Sequence, residues 1–275
     1  MHQQTILITG CSSGIGYYCA HELHKAGYLV LATVRNPKDI SKLTNLGILC
    51  QHLDLSDSNS VEQGFKWAMA QSSGRIDALF NNGAYAQPGA LEDISRNLLR
   101  QQFESNVFGW HQLTQLCVAQ MLKQGNGRII QNSSVLGLVA MRFRGPYNAS
   151  KFAIEGLTDT LRLELADTNI KISLIEPGPI LSNFRANALT QFEQNIQPEQ
   201  SRFKQTYQKM VERLKTEGPA VKFTLGPDAV YKKLIHALES NRPKARYYVT
   251  VPTYVMGTLK RILPTAWLDK ILKKS

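Results

Sequence analysis

The chain has 275 residues, 43% of them hydrophobic, enough to bury one sizeable core, and its ordinary charged and aromatic fractions do not indicate disorder. No apolar run approaches the ~18 residues of a spanning helix, and the passage from Met1 into the apolar run at 5–9 has no basic segment and no small-residue cleavage site, so a cytoplasmic protein is expected. The net charge of +11 would suit nucleic acid or an anionic surface, but Arg242, Lys244, Arg246, Lys260, Arg261, Lys270, Lys273 and Lys274 against Asp269 alone put +7 of it in the last 35 residues, and no nucleic-acid-binding module is present.

Apolar runs predict strands over 5–9, 29–34, 48–53, 77–80, 128–132, 171–175 and 247–251, with helix-spaced stretches between them. Phe103, Val107, Trp110, Leu113, Cys117 and Met121 form one stripe in steps of three and four, and Ala153, Leu157, Leu161 and Leu165 form another. Strand and helix in alternation imply right-handed crossovers and one doubly wound parallel α/β sheet of about seven strands, covered on both faces, over a single domain 1–275.

TGCSSGIG, Thr9 to Gly16, follows the first strand and opens a helix. There Gly10 permits a sharp turn, Gly14 a close approach of pyrophosphate, and Gly16 tight packing of helix on strand, which is the context of a dinucleotide site, although any tight connection can use glycine. After the second strand the chain reads Thr33, Val34, Arg35, Asn36. With no acid there to hold both ribose hydroxyls, Arg35, helped by Ser12 or Ser13, suits a 2′-phosphate, so NADP is favoured over NAD; the alternative is an exposed arginine. Asp54 follows the third strand as an adenine contact, with Ser56 or Asp57 as cap of the next helix, and Asn81, Asn82 and Gly83 form a small, amide-rich turn after the fourth that can approach the cofactor, although turn chemistry alone would also explain them.

Tyr147 and Lys151 stand at i, i+4. If a helix begins near Asn148 they stack roughly 6 Å apart along its axis, and an ammonium beside a phenol favours the phenolate, making Tyr147 a candidate general acid/base; the bland alternative is a helix start with a surface lysine. Cys11, Cys19, Cys50 and Cys117 are too scattered for a zinc site or a disulfide framework, and His2, His21, His24, His52, His111 and His236 offer no ligand set, so no metal is expected.

TGCSSGIG at 9–16, Asp54, NNGA at 81–84, Asn106, Ser134, YNASK at 147–151 and PGPILS at 177–182 together resemble the short-chain dehydrogenase/reductase family, in its order and spacing, over about two thirds of the chain. Within the family the likeness is to NADP-preferring 17β-hydroxysteroid and retinol dehydrogenase-like members and bacterial aldehyde reductases. The resemblance implies a single Rossmann-fold domain and catalytic residues Asn106, Ser134, Tyr147 and Lys151. Tyr147 would exchange the proton, Lys151 would lower its pKa and hold the nicotinamide ribose, Ser134 (with Ser133 as competitor) would bond the substrate oxygen, and Asn106 would anchor a proton-relay water unless it only bonds its own backbone. It also implies cofactor contacts at Gly10, Ser12, Ser13, Gly14, Ile15, Gly16, Arg35, Asp54, Leu55, Asn81, Gly83, Tyr147, Lys151, Pro177, Gly178, Ile180 and Ser182. NNGA in place of NNAG, and Ser182 in place of threonine, depart from the family pattern without removing a catalytic group.

The resemblance places a substrate lid over 183–218, and its apolar residues Phe184, Leu189, Phe192, Phe203 and Tyr207, with Leu138, Met141 and Phe143, suggest a lipophilic aldehyde or ketone of steroid, retinoid or fatty-aldehyde type, ordinary packing being the alternative. Ser134, Met141, Phe143, Tyr147 and Phe184 are the candidate substrate contacts. The basic amphipathic extension over 252–275 reads as a pocket cap or subunit contact in preference to a peripheral membrane contact. Both helical stripes would pair with symmetry mates in a homodimer or homotetramer. The rival class is a non-catalytic NADP sensor on the same fold, which often lacks the tyrosine or lysine present here.

Overall fold

The structure, a computed structural model, describes residues 3–219 and 221–273; His2, Lys274 and the end of the 252–275 extension lie outside them. Seven parallel strands, β1 (Thr5–Ile8), β2 (Leu29–Val34), β3 (Leu49–His52), β4 (Ala78–Asn81), β5 (Gly127–Asn132), β6 (Ile170–Glu176) and β7 (Arg246–Tyr248), form one sheet in the order β3-β2-β1-β4-β5-β6-β7. The central strand, Thr5 followed by three apolar residues, is buried throughout because both faces are covered. Ile6 and Ile8 face α1 (Gly14–Lys25) and α9 (Asp228–Glu239), packing with Leu23, Val230 and Leu234. Leu7 faces the other side, where α3 (Ser58–Gln71) and α5 (Gly109–Gln124) contribute Val61, Leu113 and Cys117. Leu7 stands opposite Leu31 on β2 and Leu79 on β4. The chain runs outward in both directions from β1, so the crevice of a doubly wound sheet opens at the carboxyl ends of β1 and β4.

Of the remaining helices, α2 (Ile40–Thr44) precedes β3 and α4 (Arg96–Phe103) precedes α5, and between α4 and α5 lies one π turn, Glu104–Phe108. There the helix presses on the β3–α3 connection: a Cβ on Gly109 would lie 2.0 Å from the carbonyl oxygen of Leu55. The first stripe is thus interrupted, and Trp110, Leu113, Cys117 and Met121 are fully buried against the chain's own sheet. This corrects the expectation that both stripes meet a symmetry mate. In the second stripe Leu157 is 43% exposed, as are Phe152 (41%) and Phe108 (51%) near it in sequence or on the adjoining helix, while Leu161 and Leu165 pack against the α3–α5 layer.

The long helix α6 (Gly145–Glu164) starts three residues earlier than expected, with Pro146 in its first turn where a missing N–H costs nothing. Arg246 on the edge strand fastens this helix: it donates to Glu176 at 2.7 Å, to Asp159 at 2.5 Å and to Glu155. Over the crevice, α7 (Phe184–Asn195) and α8 (Lys204–Lys215) pack through Phe192 and Tyr207, whose hydroxyl donates to Asp93 and accepts from the Ala90 amide at 2.8 Å. In α10 (Val251–Ile262) and α11 (Thr265–Leu272), Leu268 and Leu272 join one apolar cluster with Val135, Leu136, Tyr147 and Ala188. Among the described residues no helix is long and apolar enough to cross a membrane.

Candidate active site

The crevice is built from the ends of three neighbouring strands. Thr9, one residue past β1, accepts through Oγ1 from the amides of Asn82 and Gly83, each at 2.9 Å. Asn82 donates through Nδ2 to the carbonyls of Thr9 and Gly10, and its Oδ1 accepts from Asn132 at the end of β5 at 2.9 Å. These bonds bring the glycine turn against the NNG turn so closely that a Cβ on Gly10, which has φ +71°, would lie 2.5 Å from the Gly83 Cα. A Cβ on Gly16 would lie 2.2 Å from the Gly10 carbonyl oxygen. Ser13 precedes α1 and makes no side-chain cap, so the first amides of that helix have no side-chain acceptor and offer donors and a positive dipole end to an anion. This cradle suits the pyrophosphate of a dinucleotide.

Arg35 is exposed at the end of β2 on the same cleft. Asp54 lines it too, its Oδ1 accepting from the Ser56 amide at 2.9 Å and hydroxyl at 2.7 Å, while Asp57 is the residue that caps α3, accepting from the Asn59 amide.

At the other end, the first turns of α6 present Tyr147 and Lys151. Lys151 is 1% exposed; its Nζ donates to the Asn132 carbonyl at 2.8 Å and lies 4.3 Å from the centroid of the Trp110 ring and 5.5 Å from that of Tyr147. Trp110 is itself fixed by donating to the Gly83 carbonyl at 2.7 Å. The buried ammonium is therefore held by one carbonyl and one ring face, the latter a cation–π contact. Asn106 lies in the π turn, a common way for a helix to re-aim a side chain at a functional site. It accepts from the Tyr85 amide at 3.2 Å and donates to the Tyr85 carbonyl at 3.0 Å and the Ser150 hydroxyl at 3.2 Å, so its bonds reach other segments, not only its own backbone. The Ser134 hydroxyl accepts from the Leu136 amide at 3.1 Å, capping a short turn that faces α6.

Burial drives both reactive groups toward neutrality. It pushes the Tyr147 phenol well above its usual value, with a hydrogen bond from Ser134 acting the other way, and it pulls Lys151 down from 10.5 to about 7, against the upward pull of the Glu155 carboxylate. The sequence expectation was a tyrosine made more acidic by lysine. In the protein by itself the phenol is instead shifted the other way, by the desolvation that burial imposes on a phenolate.

These residues share one cleft of about 940 Å³. Of the residues singled out from sequence, Gly10, Ser12, Ser13, Gly14, Ile15, Arg35, Asp54, Leu55, Gly83, Ser134, Met141, Phe143, Tyr147, Lys151, Pro177, Gly178, Ile180, Ser182 and Phe184 line it. Gly16, Asn81 and Asn106 do not; Asn81 is buried and donates to Thr114 at 2.9 Å. Phe192, Phe203, Tyr207, Leu138 and Leu189, expected at the substrate, are likewise not on the wall. The sequence placed Asn82 in a turn near the cofactor but not its bonds to Thr9, Gly10 and Asn132, and it took Trp110 as a stripe residue; for Trp110 a tryptophan in the face of the helix that precedes the tyrosine segment was the one available sign.

A family model described as short chain dehydrogenase matches residues 4–193. The chain is 43% identical over 271 residues to "Uncharacterized oxidoreductase YbbO" of Escherichia coli strain K12, covering 98% of this chain and 94% of that protein. It is 31% identical over 277 residues to "Retinol dehydrogenase 8" of Homo sapiens, covering 94% and 85%. Among solved structures it is similar to a short chain dehydrogenase/reductase from Burkholderia phymatum in complex with NAD, with TM-score 0.79, 22% identity and 94% and 92% coverage. It is also similar to one from Burkholderia cenocepacia in complex with NADP, with TM-score 0.76, 20% identity and 98% coverage of each.

Proposed function

This chain belongs to the short-chain dehydrogenase family, and from that premise we propose that it is an NADPH-dependent reductase of lipophilic aldehydes or ketones. The observation that carries the reading is Tyr147 one helical turn before the buried Lys151, on the same cleft as the glycine turn that would hold the dinucleotide. When bound, NADPH supplies the hydride. Gly10, Gly14 and the first amides of α1 would hold the pyrophosphate, Arg35 the 2′-phosphate, and the backbone around Ile180 the carboxamide. Tyr147, kept protonated by burial, gives its proton to the carbonyl oxygen as charge builds there, and Ser134 bonds the same oxygen. Lys151 faces that ring from beneath and is poised near neutrality to return a proton, while Asn106 positions the Tyr85 and Ser150 segments around it.

The relative named for retinol supports a lipophilic substrate. Leu268 and Leu272, packed with Tyr147, support the C-terminal helices as a pocket cap over a membrane contact. Phe108, Phe152 and Leu157 supply the exposed apolar surface for a homodimer or homotetramer.

The test is Tyr147→Phe assayed with NADPH and a panel of aldehydes and ketones. Turnover falls by about a hundredfold or more while NADPH still binds; a variant with near-normal turnover would refute the assignment.

A further inference from the structure

The cleft is divided by charge in a way the reaction does not require. Asp54, at the adenosine end, is the one carboxylate on its wall among the described residues, whereas six cations beyond Arg35 and Lys151 line it from four separate segments: Arg142 and Arg144 before α6, Arg185 on α7, Lys209 and Arg213 one turn apart on α8, and Lys222 after it. None of the six takes part in an ion pair among the described residues. Two cations of the same segment that sit off the cleft wall are paired, Arg202 with Glu92 through two bonds of 2.6 and 2.9 Å and Lys204 with Glu199, while Lys215 at the end of α8 is in no ion pair among the described residues. The helical spacing on α8 that brings Met210 and Leu214 to the cleft also brings Lys209 and Arg213 there, so an apolar wall is edged with positive charge.

Arg142 lies over the Phe143 and Phe203 rings and Arg144 donates to Met141, but two of these cations are poorly satisfied. Arg185 donates through Nη2 to the Gly218 carbonyl, but its Nη1 is buried with no hydrogen-bond partner. A buried donor without an acceptor is a standing cost that an anionic ligand would remove. Burial alone pulls Arg213 below its usual value, with no carboxylate close enough to offset it. On the same elements Met141, Phe184, Ala188 and Leu214 add an apolar part of the wall that clusters with Tyr147, beside the polar Asn187, Thr190, Gln191 and Thr206.

We propose that the substrate is an anionic amphiphile, a carbonyl compound with an apolar body and a carboxylate or phosphate group that Arg185, Lys209 and Arg213 hold while the carbonyl reaches Tyr147. The proposal rests on the reductase reading for the carbonyl and on the cleft alone for the anion. Electrostatic capture of this kind selects among lipophilic carbonyls that an apolar wall by itself would not distinguish.

The test is calorimetric titration of the full chain, saturated with NADP⁺, with octanoate, octyl phosphate and 1-octanol, repeated on R185Q/K209Q/R213Q after its thermal unfolding has been matched to wild type. R185K/R213K, which keeps the charges, covers the case in which the neutral triple variant does not fold. Wild type binds at least one anion about tenfold tighter than the alcohol, the triple variant loses that preference, and the lysine variant keeps most of it. The tighter of the two anions identifies the group as carboxylate or phosphate. Equal binding of anion and alcohol overturns the proposal, as does a triple variant whose only loss is in NADP⁺ affinity, since the cations then serve the nucleotide. Anion binding without turnover of any carbonyl refutes the reductase reading and leaves the anion site standing.

Discussion

Replacing Lys151 by methionine separates the electrostatic cost of the buried ammonium from its packing, because the two side chains are similar in length. In the folded chain burial lowers the lysine from 10.5 to about 7. Between those two pH values the unfolded chain holds a proton that the native chain has lost, so raising the pH removes an advantage of the unfolded state and native stability rises. The stability tied to this group is complete above about 10.5 and is lost as the pH falls through about 7. At about 1.4 kcal/mol per tenfold change in proton affinity, the three units from pH 7 to pH 10 are worth at most about 4 kcal/mol, and relaxation around the charge reduces this to roughly 2–4 kcal/mol. Lys151→Met lacks this term, and Glu176, which burial and the neighbouring Glu155 charge raise, titrates in both proteins and largely cancels in the difference. Urea unfolding at pH 7, 8, 9 and 10 measures it: the stability of wild type relative to Lys151→Met climbs by that amount across the series, while the variant loses carbonyl turnover throughout. A difference that stays flat with pH would mean that the ammonium is not desolvated in solution, and the account of both reactive groups would fail with it.

Three further outcomes are expected. Arg35→Asp weakens NADPH by about tenfold or more and leaves NADH within about twofold, read by fluorescence titration; equal losses for both would remove the 2′-phosphate contact. Gly16→Ala puts a methyl 2.2 Å from the Gly10 carbonyl oxygen, so the turn must shift: nucleotide affinity falls and stability drops by about 1–3 kcal/mol in denaturant melts, whereas an unchanged Kd would show a looser cradle. Tyr207→Phe leaves the Ala90 amide without its acceptor and Asp93 with the Ser201 hydroxyl in place of two donors, costing about 1–3 kcal/mol and raising KM more than it lowers kcat; a pure kcat effect would contradict a role confined to holding the helices above the cleft.

The sheet was legible in the sequence because parallel strands covered on both faces must be continuous apolar runs, and each of the seven predicted strands overlaps an observed one. The glycine turn and the tyrosine–lysine pair were legible because their chemistry depends on spacing within one element. Three features were not, because each depends on contacts between distant segments. The π turn at Glu104–Phe108 keeps ordinary helical residues and is revealed by what Asn106 reaches, the backbone of Tyr85 and the side chain of Ser150. Asn82 and Asn81 are indistinguishable in the sequence, and only the alternation of β4 sends one toward Thr9 and the other toward Thr114. The apolar residues of 183–218 pointed to an oily lid, but Phe192 and Tyr207 pack within it and the wall they leave carries Arg185 and Arg213. The stripe read as a subunit contact failed for a related reason: periodicity shows that a helix has an apolar side and not which body covers it.

The π turn also sets the angular phase of everything that follows it. A single residue in excess of the α-helical repeat rotates α5 by about 100° relative to α4, and Trp110, two residues beyond the turn, depends on that rotation to lie under Lys151. Deleting one residue between Glu104 and Phe108 would therefore give a smoother rod whose two halves face the wrong way: locally better hydrogen-bonded, and with the indole swung out from beneath the ammonium. Helical regularity and function are in opposition at this point in the chain, and the irregular form is the one that the rest of the packing holds in place.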